Sequence, residues 1–196
     1  MSKRTKKILE ELRKLPHDFR TRLNSQELRS VGKEFLLNST VEEQEGKSAR
    51  HMEKKDFHAA MAHLGFDHMP MLDRVFEIFD SDQNGQLEWR EFVAGIDLLL
   101  RGHGEETLAF IFSMYDLSDS GYISEFDLYS VLRLCGRDVL FNETGHVKSR
   151  QMAYLRKLFR TLDKNGDGQI DYVEFLEGLR GSPILVKALL GPSSTA

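Results

Sequence analysis

The sequence predicts an all-α protein: four helix–loop–helix units in two paired lobes, with short β contacts between the loops of each pair. Three observations lead there. A twelve-residue pattern of oxygen-bearing side chains recurs three times in one frame. Apolar residues flank each copy at spacings of three and four, which places them on one face of a helix. The 13 Phe, against one Trp and four Pro, concentrate in those flanks, so the aromatic excess is core.

The first copy is residues 80–91, the second 116–127 and the third 163–174. Position 1 is Asp80, Asp116 or Asp163. Position 3 is Asp82, Ser118 or Asn165, and position 5 is Asn84, Ser120 or Asp167. Position 6 is always Gly, at 85, 121 and 168. Position 7 is Gln86, Tyr122 or Gln169; position 8 is Leu87, Ile123 or Ile170. Position 12 is Glu91, Asp127 or Glu174. This is the spacing of the EF-hand calcium loop. Ca²⁺ takes about seven oxygens at roughly 2.3–2.6 Å. Side chains at 1, 3 and 5 converge as the backbone coils round the ion, and Gly at 6 allows the sharp turn. Position 7 offers only its carbonyl. Position 12 reaches back from the start of the next helix.

The leading helices carry Phe76 and Phe79, Phe112 and Tyr115, Phe159 and Leu162. The exiting helices carry Phe92 and Ile96, Leu128 and Leu132, Phe175 and Leu179. A fourth unit lies upstream. With Phe57 at position 13, Met52 takes position 8, Asp56 position 12 and Glu45 position 1, but 3, 5 and 6 are Lys47, Ala49 and Arg50. Two cations and no glycine make this a degenerate hand that keeps only a packing role. Paired hands touch at position 8, so Met52 is expected to pair with Leu87, and Ile123 with Ile170. Residues 136–149, with Gly136, Asn142 and Gly145, read as an insertion. The expected organisation is a basic helical arm over 1–33, a first pair of hands over 34–101, a second pair with a C-terminal helix over 102–190, and a tail over 191–196. The lobes are expected to part near Arg101-Gly102-His103-Gly104.

Composition narrows the function. Residues 1–33 hold ten Lys/Arg and four Asp/Glu, whereas the whole chain has a formal charge of −4. An acidic body with one basic arm is not the charge distribution of a nucleic-acid binder. The single Cys135 forms no intramolecular disulfide and fits a reducing compartment. No apolar stretch follows Met1-Ser2-Lys3-Arg4, so no secretory signal is expected. Ser2 stands where myristoylation needs Gly, and Ser193–Ala196 carries no prenylation cysteine, so no lipid anchor is expected. The seven His form no i, i+4 metal pair, and no P-loop, HExxH or nucleophile elbow is present. The chain is therefore not read as an enzyme.

The three loops differ in charge. Loops 80–91 and 163–174 each gather four acids, counting Glu88 and Asp171 at position 9. Two like charges about 5 Å apart cost roughly 3 kcal/mol at an effective dielectric near 20, so these clusters call for a cation. In 116–127 only Asp116 and Asp127 are charged ligands; Ser118 and Ser120 are neutral. Asp at position 12 is one methylene short, which favours one-oxygen contact and tilts the site toward Mg²⁺ or weak Ca²⁺ binding. Two strong Ca²⁺ sites and one weaker site are expected.

Lys3–Leu15 puts Ile8, Leu12 and Leu15 on one face among basic residues. It reads either as a helix packed on the body or as an arm for an acidic partner or anionic surface. Pro183–Leu190 reads as a helix packed in the second lobe or as a displaceable plug. Met52, Met61, Met69, Met71, Met114 and Met152 read as core, some lining a groove that opens with Ca²⁺.

The three loops, the disabled first hand and the longer final gap resemble the calcineurin B and neuronal calcium sensor branch of EF-hand proteins, over about residues 35–190. Within it, Met71-Leu72-Asp73-Arg74-Val75-Phe76, and Leu98-Leu99-Leu100-Arg101-Gly102 ahead of Glu105-Glu106, resemble the calaxin-like group of ciliary sensors associated with outer-arm dynein. The resemblance implies ligands at Asp80, Asp82, Asn84, Gln86 and Glu91, and at Asp163, Asn165, Asp167, Gln169 and Glu174. It also implies a protein partner bound through an amphipathic helix, dynein or its docking complex, in the cytoplasm or the axoneme of a cilium or flagellum. Calcium sensing is the expected function. The alternative is a constitutive, calcium-loaded structural or regulatory subunit of a phosphatase-like or axonemal assembly.

Overall fold

A computed structural model describes residues 21–44, 47–67, 69, 71–134 and 149–181. The chain forms two compact units that divide between Thr107 and Leu108. Among the described residues the elements are eight helices and five short strands. No helix among them is long and apolar enough to cross a membrane. The arm over Lys3–Leu15, Cys135, residues 136–148 of the insertion, Pro183–Leu190 and the tail lie outside the described residues, as does the side chain of Met152.

The first unit opens with α1 (Ser25–Leu37). Asn24 starts it: its side chain accepts from the amides of Gln26 and Glu27, and Glu27 Oε2 accepts the Asn24 amide at 2.9 Å. That reciprocal pair satisfies donors the first turn leaves open. The arm boundary expected at 33/34 falls inside this helix, whose Val31 and Phe35 are buried. Next come β1 (Thr40–Gln44), β2 (Lys47–Met52), α2 (Lys54–His63), α3 (Leu72–Phe79), β3 (Leu87–Glu88) and α4 (Trp89–Arg101).

The degenerate hand departs from a coiled loop. From Lys47 its frame is strand, paired antiparallel with β1 from Thr40↔His51 to Gln44↔Lys47. Without a ligand set or a glycine at position 6, nothing winds the backbone, and it satisfies its polar groups in a β ribbon instead. The expected contact survives: Met52 pairs with Leu87, making a three-stranded sheet in the order β1-β2-β3.

Behind the sheet lies an aromatic core. The Phe57 ring meets Phe76, Phe79 and Phe92 edge-on, with centroids 5.5, 5.7 and 6.2 Å away. Phe35 lies 5.4 Å from Trp89 and 5.7 Å from Phe92. Phe35, Met52, Phe57, Met61, Leu87, Phe92 and Ile96 are fully buried. Gly95 on α4 makes room for Phe79: a Cβ there would lie 2.2 Å from that buried ring. Ala gains about 1 kcal/mol over Gly in a helix interior, but a displaced core ring outweighs it. Gly95→Ala is expected to lower stability by about 1–2 kcal/mol net, read as a lower midpoint in urea.

Asp97, like Glu34 and Arg74, is a buried charge outside the loops. Asp97 on α4 accepts from Thr21 Oγ1 at 2.8 Å, the Arg22 amide at 2.5 Å and Arg22 Nε at 2.8 Å. Burial pushes its carboxyl up, yet the bonds from Thr21 and Arg22 outweigh that and hold it below the ordinary aspartate range.

The second unit holds α5 (Glu105–Tyr115), whose first turn precedes the division, then β4 (Ile123–Ser124), α6 (Glu125–Leu134), α7 (Ser149–Leu162), β5 (Gln169–Ile170) and α8 (Tyr172–Gly181). Ile123 pairs with Ile170 in an antiparallel two-stranded contact, the register expected. Phe112 meets Phe175 and Tyr172 edge-on, both at 5.4 Å. Every flanking apolar pair named from the sequence is buried, in both units.

Candidate metal centre

All three loops turn through left-handed backbone at two positions. At position 6, Gly85, Gly121 and Gly168 have φ of 81°, 83° and 83°. That was legible in the glycines. The second turn, at position 4, was missed: Gln83, Asp119 and Gly166 have φ of 57°, 52° and 74°. Asp119 and Gly166 belong to types that enter this region readily, but Gln83 does not.

The double turn aims amides inward at the position-1 carboxylate. Asp80 accepts from Asn84 N at 3.0 Å and Gly85 N at 2.8 Å. Asp116 accepts from Ser120 N at 3.0 Å and Gly121 N at 2.7 Å. Asp163 accepts from Gly166 N at 2.7 Å and Gly168 N at 3.0 Å. Position 5 then braces position 7: Asn84 Oδ1 accepts the Gln86 amide and Asp167 Oδ1 the Gln169 amide, each at 2.8 Å. Within the loops, Asn84 Nδ2 donates to Asp82 and Asn165 Nδ2 to Asp167, each at 2.9 Å.

Position 12 separates the loops. Glu91 accepts from Glu88 N through Oε2 at 3.0 Å and from Ser81 N through Oε1 at 3.0 Å. It thus spans the loop from the first turn of α4. Glu174 does the same from α8, accepting from Lys164 N, Asn165 N and Asp171 N at 3.0–3.1 Å. Asp127 turns instead onto Ser124, taking its amide at 2.9 Å and its hydroxyl at 2.6 Å. The missing methylene keeps this carboxylate on its own helix cap. In the same loop Ser120 Oγ sits 3.1 Å from the Tyr122 carbonyl oxygen, and Ser118 Oγ 3.4 Å from Asp116.

Among the described residues, Asp80, Asp82 and Glu91 each bring one carboxylate oxygen within 4.8 Å of the others. Burial pushes the Asp80 carboxyl up; the amides of Gly85 and Asn84 oppose this, and Asp82 and Glu91 reinforce it. Converging oxygens, one of them on a buried, charge-stressed carboxyl, fit a hard divalent cation, and among the described residues no His or Cys joins the group. Asp163, Asp167 and Glu174 share the loop conformation but do not draw together to that degree in this structure. The reach of the short arm is open to test: Asp127→Glu is expected to tighten Ca²⁺ binding at the middle loop by about tenfold. Calorimetry on the variant checks it, against an unchanged isotherm if the serines set the limit.

Comparison with known proteins agrees with the loop geometry. Residues 105–180 match the model of an EF-hand domain pair, and residues 72–96 match that of an EF hand. The chain is 38% identical over 117 residues to the type 2 calcineurin B of Bos taurus, covering 59% of this chain and 65% of that one. It is 34% identical over 124 residues to the Homo sapiens protein of the same name, covering 63% and 69% respectively. The chain thus spans about two thirds of the length of the curated relatives it matches. The repeated loop, the paired position-8 contacts and these identities together show that the chain belongs to the EF-hand family of calcium-binding proteins and is related to calcineurin B.

Proposed function

We propose that the protein is a calcium sensor that binds Ca²⁺ at loops 80–91 and 163–174, more weakly at 116–127, and passes the signal to a protein partner. Its family is one of calcium-binding regulators, not enzymes. The observation that carries the reading is the position-12 bridge. Glu91 sits in the first turn of α4 yet reaches back across its loop, so the state of the loop and the pose of the helix are linked. Bound Ca²⁺ supplies the charge that offsets the gathered carboxylates. Asp80, Asp82, Asn84, the Gln86 carbonyl and Glu91 would hold it in the first loop. Asp163, Asn165, Asp167, the Gln169 carbonyl and Glu174 would do so in the third. Asp116, Ser118, Ser120, the Tyr122 carbonyl and Asp127 form the weaker set, in which Mg²⁺ competes.

The partner on this reading is an amphipathic helix that enters a Phe/Met groove exposed when the exiting helices reorient. The relatives are, by name, subunits of calcineurin, and a subunit needs such a partner. The helix segments Met71–Phe76 and Leu98–Gly102 favour a ciliary setting with dynein or its docking complex as that partner. The constitutive alternative draws on one observation: the first hand is closed by a β ribbon rather than by an ion. Affinity capture of the full chain from ciliated-cell lysate, in Ca²⁺ and in chelator, separates the two. A sensor gains its partner in Ca²⁺ and brightens a hydrophobic dye; a constitutive subunit holds its partner in both and leaves the dye dark.

A further inference from the structure

Asp97 is, with Glu34, a buried acid that the metal loops do not use, and its partners come from far away in the chain. Thr21 and Arg22 give it three hydrogen bonds, and Arg22 Nη2 pairs with Oδ2 at 2.7 Å. The same guanidinium reaches Glu106 Oε2 at 2.5 Å. One turn further along α4, Arg101 pairs with Glu27 on α1. Two ion pairs thus strap the C-terminal half of α4 to the segment 21–27. The other end of α4 carries Glu91. Asp97 lies six residues beyond Glu91, about 9 Å along the axis. The helix that the loop must move is therefore tied down at its far end.

We infer that the Arg22–Asp97 contact sets the calcium affinity of the 80–91 loop by holding α4 in its closed pose. This rests on the reading that 80–91 takes Ca²⁺. In sensor hands the exiting helix reorients as the loop fills. Any contact made only in the closed pose then lowers apparent affinity by the fraction of molecules it keeps closed. Arg22 and Asp97 are positioning residues here and touch no ion. The contact has two features of a latch rather than a core element. Arg22 is partly open to water, with a side chain 40% exposed, so it can release. Asp97 is buried, so it holds its partner firmly while the pose lasts.

The direction of the effect separates a latch from a mere brace. Losing a brace weakens the fold and weakens binding; losing a latch weakens the fold and tightens binding. Arg22→Ala in the full chain is expected to tighten Ca²⁺ binding at 80–91 by about fivefold, at the low end of ordinary coupling. It should also raise hydrophobic-dye fluorescence in chelator. Asp97→Asn should act in the same direction, and Glu106→Gln, which spares the buried pair, should give a smaller shift. Titrations are followed by calorimetry and by Trp89 emission. Unchanged or weaker binding in Arg22→Ala, in a wild-type protein that does bind at 80–91, overturns the latch and leaves the sensor reading intact. No uptake at 80–91 in the wild type removes the sensor reading, and the latch with it.

Discussion

Glu91→Gln is expected to remove calcium uptake at the 80–91 loop while leaving the fold standing. The side chain has two jobs. Its oxygens take the amides of Glu88 and Ser81, at 3.0 Å each. Its charge also completes the group with Asp80 and Asp82. Glutamine keeps the length and one acceptor oxygen, so the cap on α4 persists. What it loses is a negative charge at the one position that joins loop to helix. Sites of this kind work at about 10⁻⁷–10⁻⁵ M, and charge count sets where in that range they fall. A loss of at least about a hundredfold moves the site out of a signalling window. Without ion the variant should be no less stable than wild type, because a repulsion with Asp80 is relieved. Trp89 serves as the reporter: it lies two residues before Glu91, is buried, and sits 5.4 Å from Phe35 of α1. A reorienting α4 changes that contact. The wild-type emission should therefore move with Ca²⁺ and the variant emission should not. Calorimetric uptake retained at 80–91 in the variant would refute Glu91 as a ligand.

Phe57→Ala is expected to cost the first unit about 3–5 kcal/mol. Phe57 is fully buried and its ring touches three others, from α3 and α4, at centroid distances of 5.5–6.2 Å. It is the shared packing partner of both hands of the pair, so no neighbour can move in from one side without leaving a void on another. A domain's whole stability is about 5–15 kcal/mol, and the loss should lower the thermal midpoint by on the order of 20 °C. Trp89 lies in this unit, so its emission in a urea or thermal series follows the transition. A shift of only a few degrees would mean that the rings close over the gap.

How far these features could be read in advance depends on how local they are. The apolar flanks, the position-8 contacts Met52↔Leu87 and Ile123↔Ile170, and the glycine turns came directly from residue spacing. The flanks and turns are decided within one turn of helix or one loop, and the position-8 contacts follow because two loops of one frame meet at the same position. The short reach of Asp127 was equally legible, because one methylene is a matter of chain length. The ribbon over Thr40–Met52 was not. Its residues signal that no ion can be held, yet not which backbone pairing takes the loop's place; that depends on β3 being there to extend. The contrast between the two acid-rich loops also escaped composition. Both have four acids, but only Asp80, Asp82 and Glu91 come within 4.8 Å of one another among the described residues.

From residue order alone came a repeat with the spacing of a calcium loop, the helical faces that bury around it, and the short reach of Asp127. All of these follow from covalent geometry and a period of 3.6. The pairing of Asp97 with Thr21 and Arg22, across 76 and 75 positions, had no local trace. A buried charge accepts whatever donor the packed chain delivers, and that delivery exists only once α1 and α4 have docked.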